Sequence, residues 1–479
     1  MKKFICLLLT AMLTLTCLSA LTACGQKKTA GGELVLRICN CEDYIYVDEE
    51  TDKTLVDEFE EAYEKATGLD ITVEYSTYGT NEILYNNLKI NPGSYDLVCP
   101  SDYMIQKMIN ENMLEKFDDV KNDVPNYFEY ASPYLTDLFD ENDWTDYAVA
   151  YMWGTMGYVY NPKYVSHEEA STWQVSLNEK FANKTTLKDS VRDTYFLGVA
   201  LAKLEELRAK NEEFTKGTLT KEEYADYLVK AYNDTSEKTI AEVEKQLKAA
   251  KKNSFSLEVD EGKGDMVKGN VWLNFAWSGD AVYAMDDAEG LDTILCYSVP
   301  KEGSNVWFDG WVMPKGANKK LAAAFLDFIS DPENACKNMD YIGYTSSIAG
   351  ETVFERLQES DYVCDETDKD AMPVDLTYFF GEINGEPAIV YTNELNRQLL
   401  AQYPSQDIIA RCTIMEYFDD KTNDRVNAMW NRVKAGNIWL YVGIIGGIVV
   451  VAAVAVVFIV LAKKGVFGKK VKKGYTRVE

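Results

Sequence analysis

Apolar and polar positions follow two rhythms along this chain. Leu34-Val35-Leu36-Arg37-Ile38 alternates, the period-two pattern of a half-buried strand. Residues 54–67 instead place Leu55, Phe59, Ala62, Tyr63 and Ala66 at helical spacing, and Gly68 follows as a stop signal. The alternation continues with a strand at 71–75, a helix at 81–90, a strand at 96–100 and a helix at 102–112. Strands alternating with helices predict an α/β unit with a mostly parallel sheet. Ligands in such sheets sit beyond the carboxyl ends of the strands. The loops there carry Tyr44, residues 77–80, Ser101, Asp102 and Tyr103.

Residues 271–311 hold two further apolar runs, VWLNFAWSGDA and VPKEGSNVWFDGWVMP, both rich in β-branched and aromatic residues and read as strands. Gly279 and Gly310 fall where these runs are expected to turn, which puts Trp277, Trp307 and Asp309 at strand ends. Two readings are open. The tryptophans are core and the Asp caps a turn, or the group receives an organic cation. Aromatic faces attract positive charge, and a carboxylate takes charge-assisted hydrogen bonds from N–H⁺ groups.

Helical spacing returns at 195–208 and 221–252, where residues 206–237 read as an inserted helical hairpin: a solvated surface pair or a docking face. Residues 319–329, with Leu321, Ala324, Phe325 and Phe328 apolar, read as an amphipathic helix of the first lobe. Residues 352–403 are acid-rich without a clear period, and 407–417 and 423–434 read as closing helices.

The chain has 479 residues, enough for two or three domains, and a net charge of −28. That charge argues against nucleic acid as a partner and is compatible with cationic ligands or a solvated extracellular surface. A single histidine, His167, argues against His-dependent hydrolysis and multi-His zinc sites. With no nucleophile–base pair at a recognisable spacing and no glycine-rich phosphate loop, neither an enzyme nor a cofactor is expected. Outside the N-terminal segment, Cys39, Cys41, Cys99, Cys296, Cys336, Cys364 and Cys412 are an odd set that cannot all pair within the chain. Cys39 and Cys41 lack a second pair with which to bind a metal.

Both ends point to a membrane. Met1-Lys2-Lys3 is a basic start, and residues 4–21 are apolar but short, so 1–23 reads as a signal peptide. It ends in Leu21-Thr22-Ala23-Cys24-Gly25, which resembles a bacterial lipobox and implies a lipid on Cys24. Residues 24–33 read as a tether. Residues 438–462 are almost wholly apolar and long enough to cross a bilayer of about 30 Å. The lysine-rich segment 463–479 would then be cytoplasmic, with the lipid bilayer as partner.

The order of "TVEYSTYGTNEILYNNLK", "YDLVCPSDYMIQKM", "YMWGTMGYVYN", "DSVRD", "NFAWSGDA", "VPKEGSNVWFDGWVMP" and "YIGYTS" resembles the periplasmic spermidine/putrescine-binding proteins, the substrate-binding components of polyamine ABC importers. The match runs from about residue 34 to 350, with a weaker tail to 436. It implies an α/β, two-lobed periplasmic-binding-protein fold with a ligand cleft between the lobes, to which the sequence adds a C-terminal transmembrane helix. The first lobe would be 34–148 plus 308–349 and the second 149–307 plus 350–436, with crossings near 147–153 and 311–314.

Residue by residue, Tyr44 matches a ligand-contacting tyrosine, and Ser101 and Tyr103 a serine–tyrosine pair. Trp277 matches a tryptophan that boxes the methylene chain. Trp307 and Asp309 match a tryptophan–aspartate pair whose acid grips an amine. Asp193 matches an acidic position, and Glu416 is the nearest counterpart of a C-terminal polar contact. Two positions depart from the pattern: Cys41 stands where the family has a tryptophan, and Ser190, beside Asp189, where some members have an aspartate. The resemblance implies polyamine binding outside the cell membrane and delivery to an ABC permease. The alternative is a membrane-anchored sensory or structural lipoprotein that reuses the fold for another organic cation.

Overall fold

The computed structural model describes residues 34–435, so the expected signal peptide, Cys24 lipid site, tether and basic tail lie outside the described residues. Within this range the chain forms two compact units. Unit 1 holds residues up to Gly154 and Trp307–Leu395; unit 2 holds Thr155–Val306 and the chain from Asn396 onward.

In unit 1 the strand Leu34–Cys41 is central. It pairs in parallel with Ile71–Tyr78 in the register Leu34↔Ile71 and with Leu97–Val98 on its other side. Alternation puts Leu36 and Ile38 wholly inside. The helix Leu55–Thr67 starts where Thr54 and Asp57 form a reciprocal capping box, and it ends at Gly68, whose φ of 72° is left-handed. The helix buries Leu55, Val56 and Phe59, and Phe59 meets Phe325 of the helix Lys319–Ile329 edge-on at 5.2 Å. Asp96 fixes the strand ends: its carboxylate accepts from Arg37 at 2.9 and 3.0 Å and from the Asn318 N–H at 2.8 Å.

Unit 2 is built on strand Leu273–Trp277. It runs antiparallel to the 156–160 stretch of strand Ala148–Tyr160 and parallel to Thr185–Lys188, which in turn pairs in parallel with Ser256–Glu258. The helix Ser278–Glu289 packs Ala281, Val282, Ala284, Met285 and Ala288 into a core with Val159, Leu295 and Tyr297. The helices Leu204–Thr215 and Lys221–Tyr232 cover the inserted region. They are held by stacking of Phe214 on Tyr224 (4.5 Å) and of Tyr232 on Phe196 (4.0 Å).

Several expectations are corrected. Residues 350–395, expected in the second lobe, belong to unit 1. There the helix Thr377–Phe380 stacks Phe379 on Trp153 at 5.3 Å, and the Ser132 hydroxyl donates to the Phe379 carbonyl oxygen at 2.8 Å. The chain passes between units within strand Ala148–Tyr160, within strand Ser304–Val312, and again after Leu395. Trp307 and Asp309 are mid-strand rather than at strand ends, and Gly310 is no turn. A side chain at Gly310 would crowd Ile105 Cδ1 at 3.1 Å and the Val149 carbonyl oxygen at 3.2 Å, so glycine serves close packing here. The expected helix at 407–417 is only the turn Gln406–Ile409, because Cys412–Thr413 joins the sheet beside Ser304 and Asn305.

The transmembrane helix is corrected as part of the fold. Among the described residues no helix is long and apolar enough to cross a membrane. The closing helix Asp420–Ala435 is polar apart from a buried stripe of Val426, Met429, Trp430 and Val433. The stretch 438–462 itself lies outside the described residues.

Candidate functional site

The expected site residues fall into two groups, one on each unit. In unit 1, Asp309 is centred on the strand Ser304–Val312 and bridges to Ser101, while the Gly310 N–H donates to the Pro100 carbonyl oxygen at 3.0 Å. These backbone contacts put Asp309 beside the carboxyl end of strand Leu97–Val98. The Tyr44 hydroxyl donates to Asp309 Oδ2 at 2.8 Å. Tyr44 is itself held edge-on by Tyr151 at 5.4 Å and Tyr344 at 5.6 Å, and Trp307 leans on Tyr344 at 5.5 Å. Burial first, and then the Asp309 charge, push the Tyr44 phenol well above its ordinary value. It therefore stays a neutral donor to the carboxylate. The same two influences keep the buried Cys99 a thiol. Trp307 and Asp309 lie two apart in one strand and so on one face.

Ser101 caps the helix Asp102–Asn110, and its hydroxyl accepts from Asn81 Nδ2 at 2.9 Å. The Tyr103 hydroxyl turns to Glu82 Oε1 at 3.2 Å. Unit 1 thus brings Tyr44, Ser101, Trp307 and Asp309 together, with Tyr103 one step along the helix. Tyr344 and Tyr151, which brace Tyr44, had been given no role; Tyr344 lies in the YIGYTS motif. Cys41, in the family's tryptophan position, ends strand Leu34–Cys41 opposite Tyr78 and supplies no ring.

In unit 2, Trp277 ends strand Leu273–Trp277 and directly precedes the helix Ser278–Glu289. Asp193 lies in the first turn of Val191–Ala202, capped by Ser190. Burial raises the Asp193 carboxyl above its ordinary value, opposed by Ser190, Lys188, hydrogen bonding with the Trp277 side chain, and Arg192. Lys188 stands 4.1 Å from the Trp277 ring centroid and 3.1 Å from Asp280 Oδ2. Burial acts to lower the Lys188 ammonium, but Asp280 and Glu258 outweigh it, and the group stays charged. The Glu416 carboxylate is exposed; its backbone carbonyl oxygen accepts from Arg192 Nη2 at 2.5 Å, which ties it to the Asp193 helix by main chain alone. Asp189 is taken by Lys434 at 3.0 Å.

The bacterial extracellular solute-binding protein family matches residues 54–352, more than half of the chain. The chain belongs to that family. A spermidine/putrescine-binding periplasmic protein of Salmonella typhimurium is 30% identical over 286 residues, 59% of this chain and 72% of that one. A putrescine-binding periplasmic protein of Pseudomonas aeruginosa is 24% identical, covering 88% of this chain and 98% of its own length. Among solved structures, a spermidine/putrescine ABC transporter substrate-binding protein of Streptococcus pneumoniae, in complex with calcium and HEPES, aligns with a TM-score of 0.55 at 26% identity over 84% of this chain and 98% of that one. A lipoprotein of Treponema pallidum shares the fold at a TM-score of 0.58 and 20% identity, over 83% of this chain and 99% of that one. This solute-binding protein is therefore a two-unit α/β binding component rather than an enzyme, and it works outside the cytoplasm.

Proposed function

We propose that this protein binds a polyamine, spermidine or putrescine, outside the cell membrane and delivers it to an ABC import permease, held at the membrane by a lipid on Cys24. The observation that carries this reading is Asp309 with the Tyr44 hydroxyl on its carboxylate, Tyr44 packed on Tyr344 and Tyr344 on Trp307. A carboxylate by itself would serve any cation. Hard metal ions prefer a shell of several oxygens. Rings around one carboxylate favour an ammonium carried on methylenes, because the ring faces attract the charge and cover the apolar chain.

On unit 1 the candidate contacts are Tyr44, Ser101, Tyr103, Trp307 and Asp309, and Asp309 takes an amine. On unit 2 they are Trp277 and Asp193, and the indole covers methylenes. Glu416 is the weakest member, since its exposed carboxylate is held there only through its backbone. The names of the relatives point the same way. The sensory or structural alternative leaned on the transmembrane helix, and nothing among the described residues favours it.

The test is titration of wild type and Asp309→Ala with putrescine and spermidine. The reading expects saturable binding that the substitution weakens by about 1.5–3 kcal/mol, the worth of a charge-assisted hydrogen bond to the amine. Equal affinity in the two proteins would remove Asp309 from the site.

A further inference from the structure

Unit 2 already holds a cation of its own. The Lys188 side chain is 2% exposed. Its ammonium donates to the Val259 carbonyl oxygen at 2.6 Å and to Asp280 Oδ2 at 3.1 Å, and stands 3.8 Å from Glu258 Oε1. The Trp277 ring centroid lies 4.1 Å away. A carbonyl, two carboxylates and an indole face are the groups that the terminal ammonium of a polyamine would seek.

The fold delivers this lysine. Lys188 is the last residue of Thr185–Lys188 and pairs in register with Glu258. The adjacent strand ends at Trp277, and Asp280 follows in the first turn of the next helix. Asp193, Glu258 and Asp280 face Lys188, with Arg192 beside Asp193, while Lys263 is shared between the exposed Asp260 at 2.7 Å and Asp280 at 3.9 Å.

We propose that Lys188 sets the specificity of the polyamine site. By occupying the Trp277 face and neutralising the buried acids, it leaves unit 2 able to cover methylenes but unable to accept a further ammonium. Each ammonium beyond the one on Asp309 meets the charge of Lys188, so affinity falls as amines are added, in the order putrescine, spermidine, spermine. The inference rests on the polyamine reading, and it assigns Lys188 a role that the expected site residues do not include.

The experiment is calorimetric titration of the full chain with the three amines, using wild type, Lys188→Met and Lys188→Arg. Wild type should bind putrescine about tenfold more tightly than spermidine, because a second cation near Lys188 meets like charge in a poorly screened site. Lys188→Met should raise the spermidine-to-putrescine affinity ratio by about tenfold, whereas Lys188→Arg, which keeps the charge, should hold it within about twofold. Loss of Lys188 also strands Asp280 and Glu258. If the single variant does not fold, Lys188→Met/Asp280→Asn removes both partners together and should shift the ratio the same way. A wild type that prefers spermidine, or a folded variant whose ratio does not move, overturns the role of Lys188 while leaving polyamine binding intact. A folded wild type that gives no heat with any of the three amines overturns the polyamine reading itself.

Discussion

The two groups of candidate residues, one on each unit, use the same residue types and meet their charge differently. In unit 1 the Asp309 carboxylate accepts from the neutral Tyr44 hydroxyl, and Tyr44 packs on Tyr344, which packs on Trp307. In unit 2 the acids Asp193, Glu258 and Asp280 are met by Lys188 and Arg192, with Lys263 shared between Asp280 and Asp260, and the indole of Trp277 already faces an ammonium. A neutral donor orients a carboxylate without cancelling its charge. A buried ion pair satisfies both partners, and an incoming charge gains little from it. On the proposed polyamine reading, the unit 1 residues grip charge and the unit 2 residues cover chain.

The sharpest way to break this contrast is to remove one acid from each half. Asp309→Ala should weaken polyamine binding by about 1.5–3 kcal/mol, while Asp193→Ala should cost about 1 kcal/mol or less, because Lys188 and Arg192 already balance that region. Equal losses measured by calorimetry would erase the distinction. Next in size, Trp277→Ala should weaken binding by about 1–3 kcal/mol through lost coverage of the methylenes, with little change in its salt dependence; a steep change would mean that the indole holds an ammonium. Smaller again, Tyr44→Phe deletes only the hydroxyl on Asp309 and should cost about 0.5–1.5 kcal/mol. An undiminished affinity there would show that Asp309 needs no orienting partner.

The smallest effect concerns stability. Burial raises the Asp193 carboxyl, so the folded state holds that proton more tightly than the unfolded chain. Stability must then fall as pH rises from the ordinary carboxylate range through the raised folded value. Asp193→Asn removes this titration. Its melting midpoint should exceed that of wild type at neutral pH, and the advantage should vanish below the ordinary carboxylate range. A midpoint equal to wild type at neutral pH would place the Asp193 charge in a better solvated setting than the fold indicates.

Much of unit 1 was readable because its signals are local. Thr54, Asp57 and Gly68 mark the ends of one helix within a few residues of it, and alternation alone orients Leu36 and Ile38. Gly310 misled because close packing and turning use the same residue. Its neighbours Ile105 and Val149 are distant in sequence, so only the fold shows why glycine stands there. Residues 350–395 had no readable period because their strands run two to four residues and depend on contacts such as Phe379 on Trp153. Tyr44, Tyr103, Asp193, Trp277, Trp307 and Asp309 came from motif resemblance. Lys188 did not, because Asp280 lies 92 positions away and nothing local marks a lysine as a buried cation.

The most direct measurement is calorimetric titration of the full chain with putrescine, spermidine and spermine, with Asp309→Ala as control. The account predicts saturable binding, tightest for putrescine and lost or severely weakened in the variant. No heat from a folded wild type, or binding by Asp309→Ala as tight as by wild type, would contradict it.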